Sequence, residues 1–291
     1  CRWLAHLLPF NCGMAGPVTH VAGHLCAVAA FTGLALVANP TPCRDVLSAA
    51  TSAASQEIWV ATDHAVGTYN GAEPGGARTP DVMHLDDGTY RMYYATTEGV
   101  ASVIKYAESR DGVRWAVLGT VLRGARHPAD PEFSVSGPSV VRLADGRFRM
   151  YYESAPASSQ GPRSHVRSAV SDDGIAFTRE GVRINITAYD AAAPFRLAGH
   201  GAYFQGPGGS IVGILSGTLA SGPADASHLA IGTSADGLTF GHFRALYSQW
   251  RDPVVIDVDG RYRLYATHLA GGQGTATSID GLMWPGSMTP V

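Results

Sequence analysis

The sequence is short of charge. Only 15% of its 291 residues are Asp, Glu, Lys or Arg, and the formal net charge is −3 with a pI near 6.4. A chain without a basic stripe offers little to a phosphate backbone or an anionic lipid surface, so nucleic acid and membrane headgroups are not expected partners. Cysteine is scarcer still. All four, Cys1, Cys12, Cys26 and Cys43, lie in the first 43 residues. The rest of the chain has neither thiol chemistry nor a disulfide framework, and cysteine usage leaves the redox compartment undecided.

Long apolar runs are also missing, with one exception. Leu25 to Ala38 reads LCAVAAFTGLALVA and is followed by Asn-Pro-Thr-Pro. Counted from Met14, this has the size of a signal-peptide core with Ala38 as the last residue before cleavage, although Met14 to Gly23 carries no Lys or Arg. A single membrane anchor is the alternative. Residues 1–44 are therefore read as a signal or a disordered N-terminal segment, and residues 45–291 as one domain of a secreted or periplasmic protein.

What fills that domain is a repeat. Thr79 to Trp115 runs TPDVMHLDDGTYRMYYATTEGVASVIKYAESRDGVRW, and Gly137 to Phe177 repeats it as GPSVVRLADGRFRMYYES, a polar insert, and SHVRSAVSDDGIAF. A worn copy begins at Gly199, and Arg251 to Trp284 gives RDPVVIDVDGRYRLYATH and then SIDGLMW. Each copy has a short apolar run, an Asp-Gly turn, an alternating aromatic run, a third alternating run and a second turn in S-x-D-G-x-x-[WF]. Asp-Gly accepts the positive φ of tight hairpins, and the following aromatic can pack on the sheet below. With one more strand, every copy makes a four-stranded antiparallel sheet.

The spacing gives the architecture. The second-turn glycines, Gly112, Gly174, Gly237 and Gly281, are separated by 62, 63 and 44 residues, one blade apiece. Blades that cannot bury both faces alone pack radially, so the chain is all-β, a β-propeller with four clear blades, and five are favoured when the partial N-terminal copy is counted. Thirty-five glycines and seventeen prolines suit many short strands and tight turns. Residues 45–78 are read as a partial blade or a ring-closing outer strand, since WPGSMTPV at the end leaves little for the last copy's own fourth strand.

A meander sorts the polar residues by end. Both Asp-Gly hairpins fall at one end, so Asp87, Asp111, Asp145, Asp173, Asp236, Asp259 and Asp280 are read as turn formers. The opposite rim collects Asp81, Ser139, His200 and Asp252 from first-strand starts, and Thr96, Glu98, Glu153, Ser216 and His268 from second-strand ends. Innermost strands line the central funnel, so carboxylates and a histidine from distant stretches can converge into acid/base chemistry on a sugar. Plainer readings stand beside this one. Asp81 and Asp252 can cap strand starts by accepting backbone N–H bonds, Glu153 can be a solvated rim residue, His200 and His268 can be hydrogen-bonded structural histidines, and Arg251 can be an ion-pair partner. The pairs Tyr93/Tyr94 and Tyr151/Tyr152 read mostly as core, with one member of each able to line the funnel.

The repeated [TR]-x-D-[PV]-V, DG-x-[YF]-R-[ML]-Y and S-x-D-G-x-x-W pattern resembles the five-bladed propeller glycosidases, the arabinanase and β-xylosidase families with their invertase and levansucrase relatives, over residues 57–291. The resemblance implies a glycosidase with Asp81 as general base or nucleophile, Glu153 as acid and Asp252, in an Arg-Asp-Pro like that of the invertase group, as stabiliser of developing positive charge. His200 in Ala-Gly-His-Gly resembles the Gly-His of the arabinanase group, which can hold a water or an ion. Arg251, His268 and Glu98 are candidate substrate contacts. Three departures are visible: Ser139 stands where an Asp is common, Arg-Asp-Pro sits in the last copy, and neither Trp-x-Asp-Pro-Asn-Gly nor Glu-Cys occurs. Glu98, Asp130 and Glu132 remain alternatives for the acid. The turn motif is close to a sialidase Asp-box, but no Arg-Ile-Pro segment accompanies it.

A carbohydrate or other small molecule is thus the expected partner. No cofactor is expected; the spacing shows no metal motif, and a calcium or sodium ion beside His200 is the one candidate. Two alternatives to a glycosidase stand: a carbohydrate-binding or interaction propeller that has lost its catalytic set, and a scaffold recruited for other small-molecule chemistry. The sugar, the stereochemical outcome and the oligomeric state are not in the sequence.

Overall fold

The computed structural model describes residues 75–157, 165–185, 195–219, 227–241 and 243–291. These form four antiparallel sheets of four strands each. The first blade holds β1 (Arg78–His84), β2 (Tyr90–Glu98), β3 (Ala101–Ser109) and β4 (Ala116–Leu122), and the second β5 (Ser134–Arg142), β6 (Phe148–Ala155), β7 (His165–Ser171) and β8 (Thr178–Asn185). The third holds β9 (Phe195–Gln205), β10 (Ile211–Leu219), β11 (Ser227–Ser234) and β12 (Arg244–Ser248), and the fourth β13 (Trp250–Val258), β14 (Arg261–His268), β15 (Gln273–Ser278) and β16 (Thr289–Pro290). Every sheet is a meander in chain order, and β1 lies beside β5, β5 beside β9 and β9 beside β13. The first strand of each blade is therefore innermost, and the all-β propeller expected from the repeat is the fold observed.

The fourth blade makes its own outer strand after all. Thr289 and Pro290 pair with Thr275 and Gly274, so two residues suffice where the sequence left little chain. No comparable contact joins β13 to β1 among the described residues. Of the partial blade read at 45–78, residues 45–74 lie outside the described residues, and Arg78 already belongs to β1. The signal or anchor read in residues 1–44 lies outside them as well.

The turns are built as their residues dictate. Asp111 Oδ1 accepts the amides of Val113 and Arg114 at 2.9 and 2.8 Å, while Ser109 Oγ accepts that of Gly112 at 2.9 Å. Asp173, Asp236 and Asp280 repeat the pattern. These amides hold the Asp173 carboxyl down near 2 and those of Asp111 and Asp236 lower still, because a charged acceptor is the better partner for two N–H groups. The turn-forming reading of these aspartates holds.

Two of these turns are then gripped by the blade before them. Arg91 Nη1 and Tyr93 Oη donate to the carbonyls of Asp173 and Gly174, both at 2.7 Å. Arg149 and Tyr151 do the same to Asp236 and Gly237 at 2.9 and 2.7 Å. The alternation in Arg-x-Tyr puts both side chains on one face of the second strand, which is why the motif recurs. All four tyrosines of the two pairs are fully buried, at most 1% exposed, so none lines the funnel. Burial pushes the Tyr93 hydroxyl up to about 12.

One irregularity recurs in all four blades. At the start of each innermost strand the pairing slips by one residue, between Arg78 and Asp81, Ser136 and Ser139, Gly199 and Gly201, and Arg251 and Val254. The residue inside each bulge has a left-handed backbone: Thr79 (φ 47), Gly137 (φ 56), His200 (φ 39) and Asp252 (φ 54). Bulges of this kind re-aim side chains at a sheet edge. They also set the frame: Asp252 and His200 match Thr79 and Gly137, whereas Asp81 matches Ser139, Ala202 and Val254, two places further on.

Candidate functional site

An innermost strand is hydrogen-bonded along one side only, so its other edge has amides in need of acceptors. The neighbouring blade supplies them in two repeated patterns. In the first, Val140 N donates to Asp81 Oδ2 at 2.7 Å, and one blade on, Tyr203 N donates to Ser139 Oγ at 3.0 Å. In the second, His200 N donates to Glu153 Oε1, and one blade on, Asp252 N donates to Ser216 Oγ at 2.8 Å. Glu153 and Ser216 are equivalent too, facing Ser136 and Gly199 across their ladders.

In each pattern a serine in one blade does what a carboxyl does in another. A hydroxyl therefore suffices for the joint. The carboxyl brings a second oxygen and a desolvation cost that the joint does not require. Asp81 and Glu153 are the two residues with that surplus, and both lie against β5: Asp81 at Val140, and Glu153 beside Gly137.

Glycine makes the room for Glu153. A Cβ on Gly137 would stand 3.4 Å from the Glu153 carboxyl carbon, and one on Gly199 only 2.5 Å from Oε1. Sequence reasoning had passed over both glycines and the role of Ser216. The visible signals were the Gly-Pro at 137–138, aligned with Thr79-Pro80 and Asp252-Pro253, and the glycines on either side of His200.

Burial pushes the Asp81 carboxyl up to about 7, with the Val140 amide pulling the other way. The residue keeps part of its surface in contact with solvent. Protein crowding on the remaining sides decides its charge, because hydration from one direction does not compensate a carboxylate for the rest. Around neutral pH this group carries its proton much of the time.

The other predicted residues are placed as follows. The structure brings His200 into contact with Glu153 through its amide, and Asp252 is tied to the third blade through Ser216. Arg251 Nε stands 3.6 Å from Asp252 Oδ2 and is half exposed. His268 packs edge-on against Trp250, ring centroids 4.8 Å apart, and its Nδ1 accepts the Ala270 amide at 3.2 Å. Glu98 is not drawn into the Glu153 cluster: it pairs with Arg123 and with Lys105 at 3.1 Å, and these cations hold its carboxyl below the usual range. Asp130 accepts the Glu132 amide at 2.8 Å. Glu132 is held by the Tyr152 hydroxyl and the Arg179 guanidinium, both at 2.6 Å. Among the described residues no three His, Cys, Asp or Glu side chains gather as a metal site.

No family model matches the chain. Two curated proteins of Mycobacterium tuberculosis, the uncharacterized proteins MT1551 and Rv1502, are each 31% identical over 120 residues. The match covers 36% of this chain, which spans 36% of the length of each relative. Solved structures match more widely. The α-L-arabinofuranosidase of Lactobacillus brevis is 13% identical with a TM-score of 0.57, covering 74% of this chain and 73% of that one. A family 117 glycoside hydrolase of Zobellia galactanivorans is 16% identical with a TM-score of 0.60, covering 74% and 70%. An exo-β-1,3-galactanase of Clostridium thermocellum is 19% identical with a TM-score of 0.57, covering 74% and 48%. At such identities the likeness is one of backbone, and it establishes that this chain has the fold of the propeller glycoside hydrolases.

Proposed function

We propose that this propeller binds carbohydrate at the bulged ends of its innermost strands and cleaves a glycosidic bond there. The observation that carries the reading is the substitution of carboxyl for serine at two equivalent joints, Asp81 for Ser139 and Glu153 for Ser216. The sequence had cast Asp81 as base and Glu153 as acid. The raised Asp81 carboxyl favours the opposite assignment: Asp81 protonates the departing glycosidic oxygen, and the free oxygen of Glu153 attacks the anomeric carbon or takes a proton from the attacking water. Asp252 offsets the positive charge that develops on the ring, with Arg251 beside it. The apolar run from Leu25 to Ala38 supports export.

The test is hydrolysis of aryl α-L-arabinofuranoside, β-D-xyloside, β-D-fructoside and β-D-galactoside by the full chain and by Asp81→Ser and Glu153→Ser, both of which keep a joint acceptor. Turnover that survives undiminished in both variants would sink the assignment.

A second reading has its own support. The positions matching Asp252 in the first two blades are Thr79 and Gly137, which carry no acid, as a carbohydrate-binding propeller without catalysis would have it. Saturable glycan binding without turnover, abolished by Glu153→Ser, would decide for that reading.

A further inference from the structure

We propose a second binding site, for an oxyanion group, in the joint between the first and second blades. A cleft of about 480 Å³ opens there, lined by Arg123, Arg126 and Arg179 over an apolar floor that includes Leu122 and Phe177. Its backbone is held in place: Ala125 N donates to Glu132 O at 2.8 Å, and Gly124 packs so closely on Phe133 that a side chain there would not fit.

The carboxylates around the cleft are already engaged. Asp130 Oδ1 takes the Glu132 amide. Glu132 Oε1 takes the Tyr152 hydroxyl and Arg179, its Oε2 stands 3.5 Å from Arg167, and its side chain is only 13% exposed. Glu98, shared between Arg123 and Lys105, neutralises one of those two. Three arginines thus line the cleft with two carboxylates, a local excess of positive charge in a chain whose net charge is −3. Arg126 is exposed and makes no ion pair or hydrogen bond among the described residues.

A concave site with an unpaired guanidinium, here Arg126 with Arg123 and Arg179 beside it, focuses anions and offers them paired N–H donors. A carboxylate, sulfate or phosphate group fits that chemistry, arriving either as a free small ion or as a substituent on a sugar. The reading does not depend on hydrolysis in the funnel.

Isothermal titration of the full chain would use inorganic sulfate, a hexuronate, a sulfated monosaccharide and the matching neutral sugar, alongside Arg126→Ala, Arg126→Glu and the distant control Arg261→Ala. Arg126 is exposed, so its variants are expected to fold like the parent, which thermal melts of each would check. The anionic probes are expected to bind saturably and the neutral sugar not; Arg126→Ala should weaken binding at least about tenfold, and Arg126→Glu should abolish it. Raising the salt should weaken it too. Tighter binding of the charged sugars than of sulfate would assign the site to a substituted glycan, and equal binding to a free ion. The absence of saturable binding, equal binding of the neutral sugar, or a loss in Arg261→Ala as large as in Arg126→Ala would each overturn the proposal.

Discussion

Asp81 and Ser139 hold the same place in neighbouring blades, and each accepts an amide hydrogen from the blade that follows, at 2.7 and 3.0 Å. One does it with a group that titrates and the other with a group that does not. That difference separates the structural from the chemical contribution of Asp81. In Asp81→Ser the acceptor stays and the carboxyl goes, so the protein should fold and melt near the parent while any glycosidase turnover falls by about a hundredfold or more. Asp81→Ala, which removes the acceptor too, should cost about 1–3 kcal/mol in urea unfolding by leaving the Val140 amide bare.

The same carboxyl makes stability depend on pH. Its value in the folded chain is raised to about 7, so between the unfolded value near 4 and about 7 the folded state holds a proton that the unfolded state has released. The contribution is therefore complete below about pH 4 and is lost as pH rises through 7, worth at most about 4 kcal/mol. The Asp173 carboxyl, held near 2, works in the other direction and is lost only as the solution becomes strongly acidic. Urea midpoints measured from pH 5 to 8.5 should fall for the parent and stay flatter for Asp81→Asn. Parallel curves would mean that Asp81 does not titrate in this window.

How far the sequence reached is visible in these residues. The Asp-Gly turns and the Arg-x-Tyr strands were legible because local chemistry dictates them: the aspartates accept the turn amides, and the tyrosines bury against the next blade. The frame of the funnel was not. Asp81 and Asp252 both read as strand starts, yet the bulge places them two positions apart, one matching Ser139 and the other Gly137. A bulge inserts one residue without changing composition or alternation on either side, so only the proline after Thr79, Gly137 and Asp252 recorded it. The Glu153 setting was hidden for another reason: its neighbours Gly137 and Gly199 signal by lacking a side chain.

Those glycines allow a test of Glu153 that leaves Glu153 unchanged. A methyl on Gly199 would meet the carboxylate at 2.5 Å, at a backbone φ of 93 that disfavours any side chain. Gly199→Ala should displace the carboxyl, lowering turnover by about tenfold or more and destabilising the fold by about 1–2 kcal/mol. If Gly199→Ala in a Glu153→Ser background costs activity as much again, the glycine acts through something other than the carboxylate.

The joint between the second and third blades depends on a different pair. Arg149 donates Nε and Nη2 to the two carboxylate oxygens of Glu180, both at 2.9 Å, and the side chains are only 8% and 18% exposed. With its remaining Nη1 it grips the Asp236 carbonyl of the next blade. Removing one member of such a pair leaves a charge with little water to replace its partner, so Glu180→Ala should cost about 3–5 kcal/mol. The double variant Arg149→Met with Glu180→Leu should recover part of that loss, because the isolated charge is gone while the volume is kept. It should not recover all, since the grip on Asp236 goes with the guanidinium. Chemical unfolding of the two singles and the double would show this as a coupling energy, and strictly additive losses would mean that Arg149 and Glu180 contribute to the joint independently.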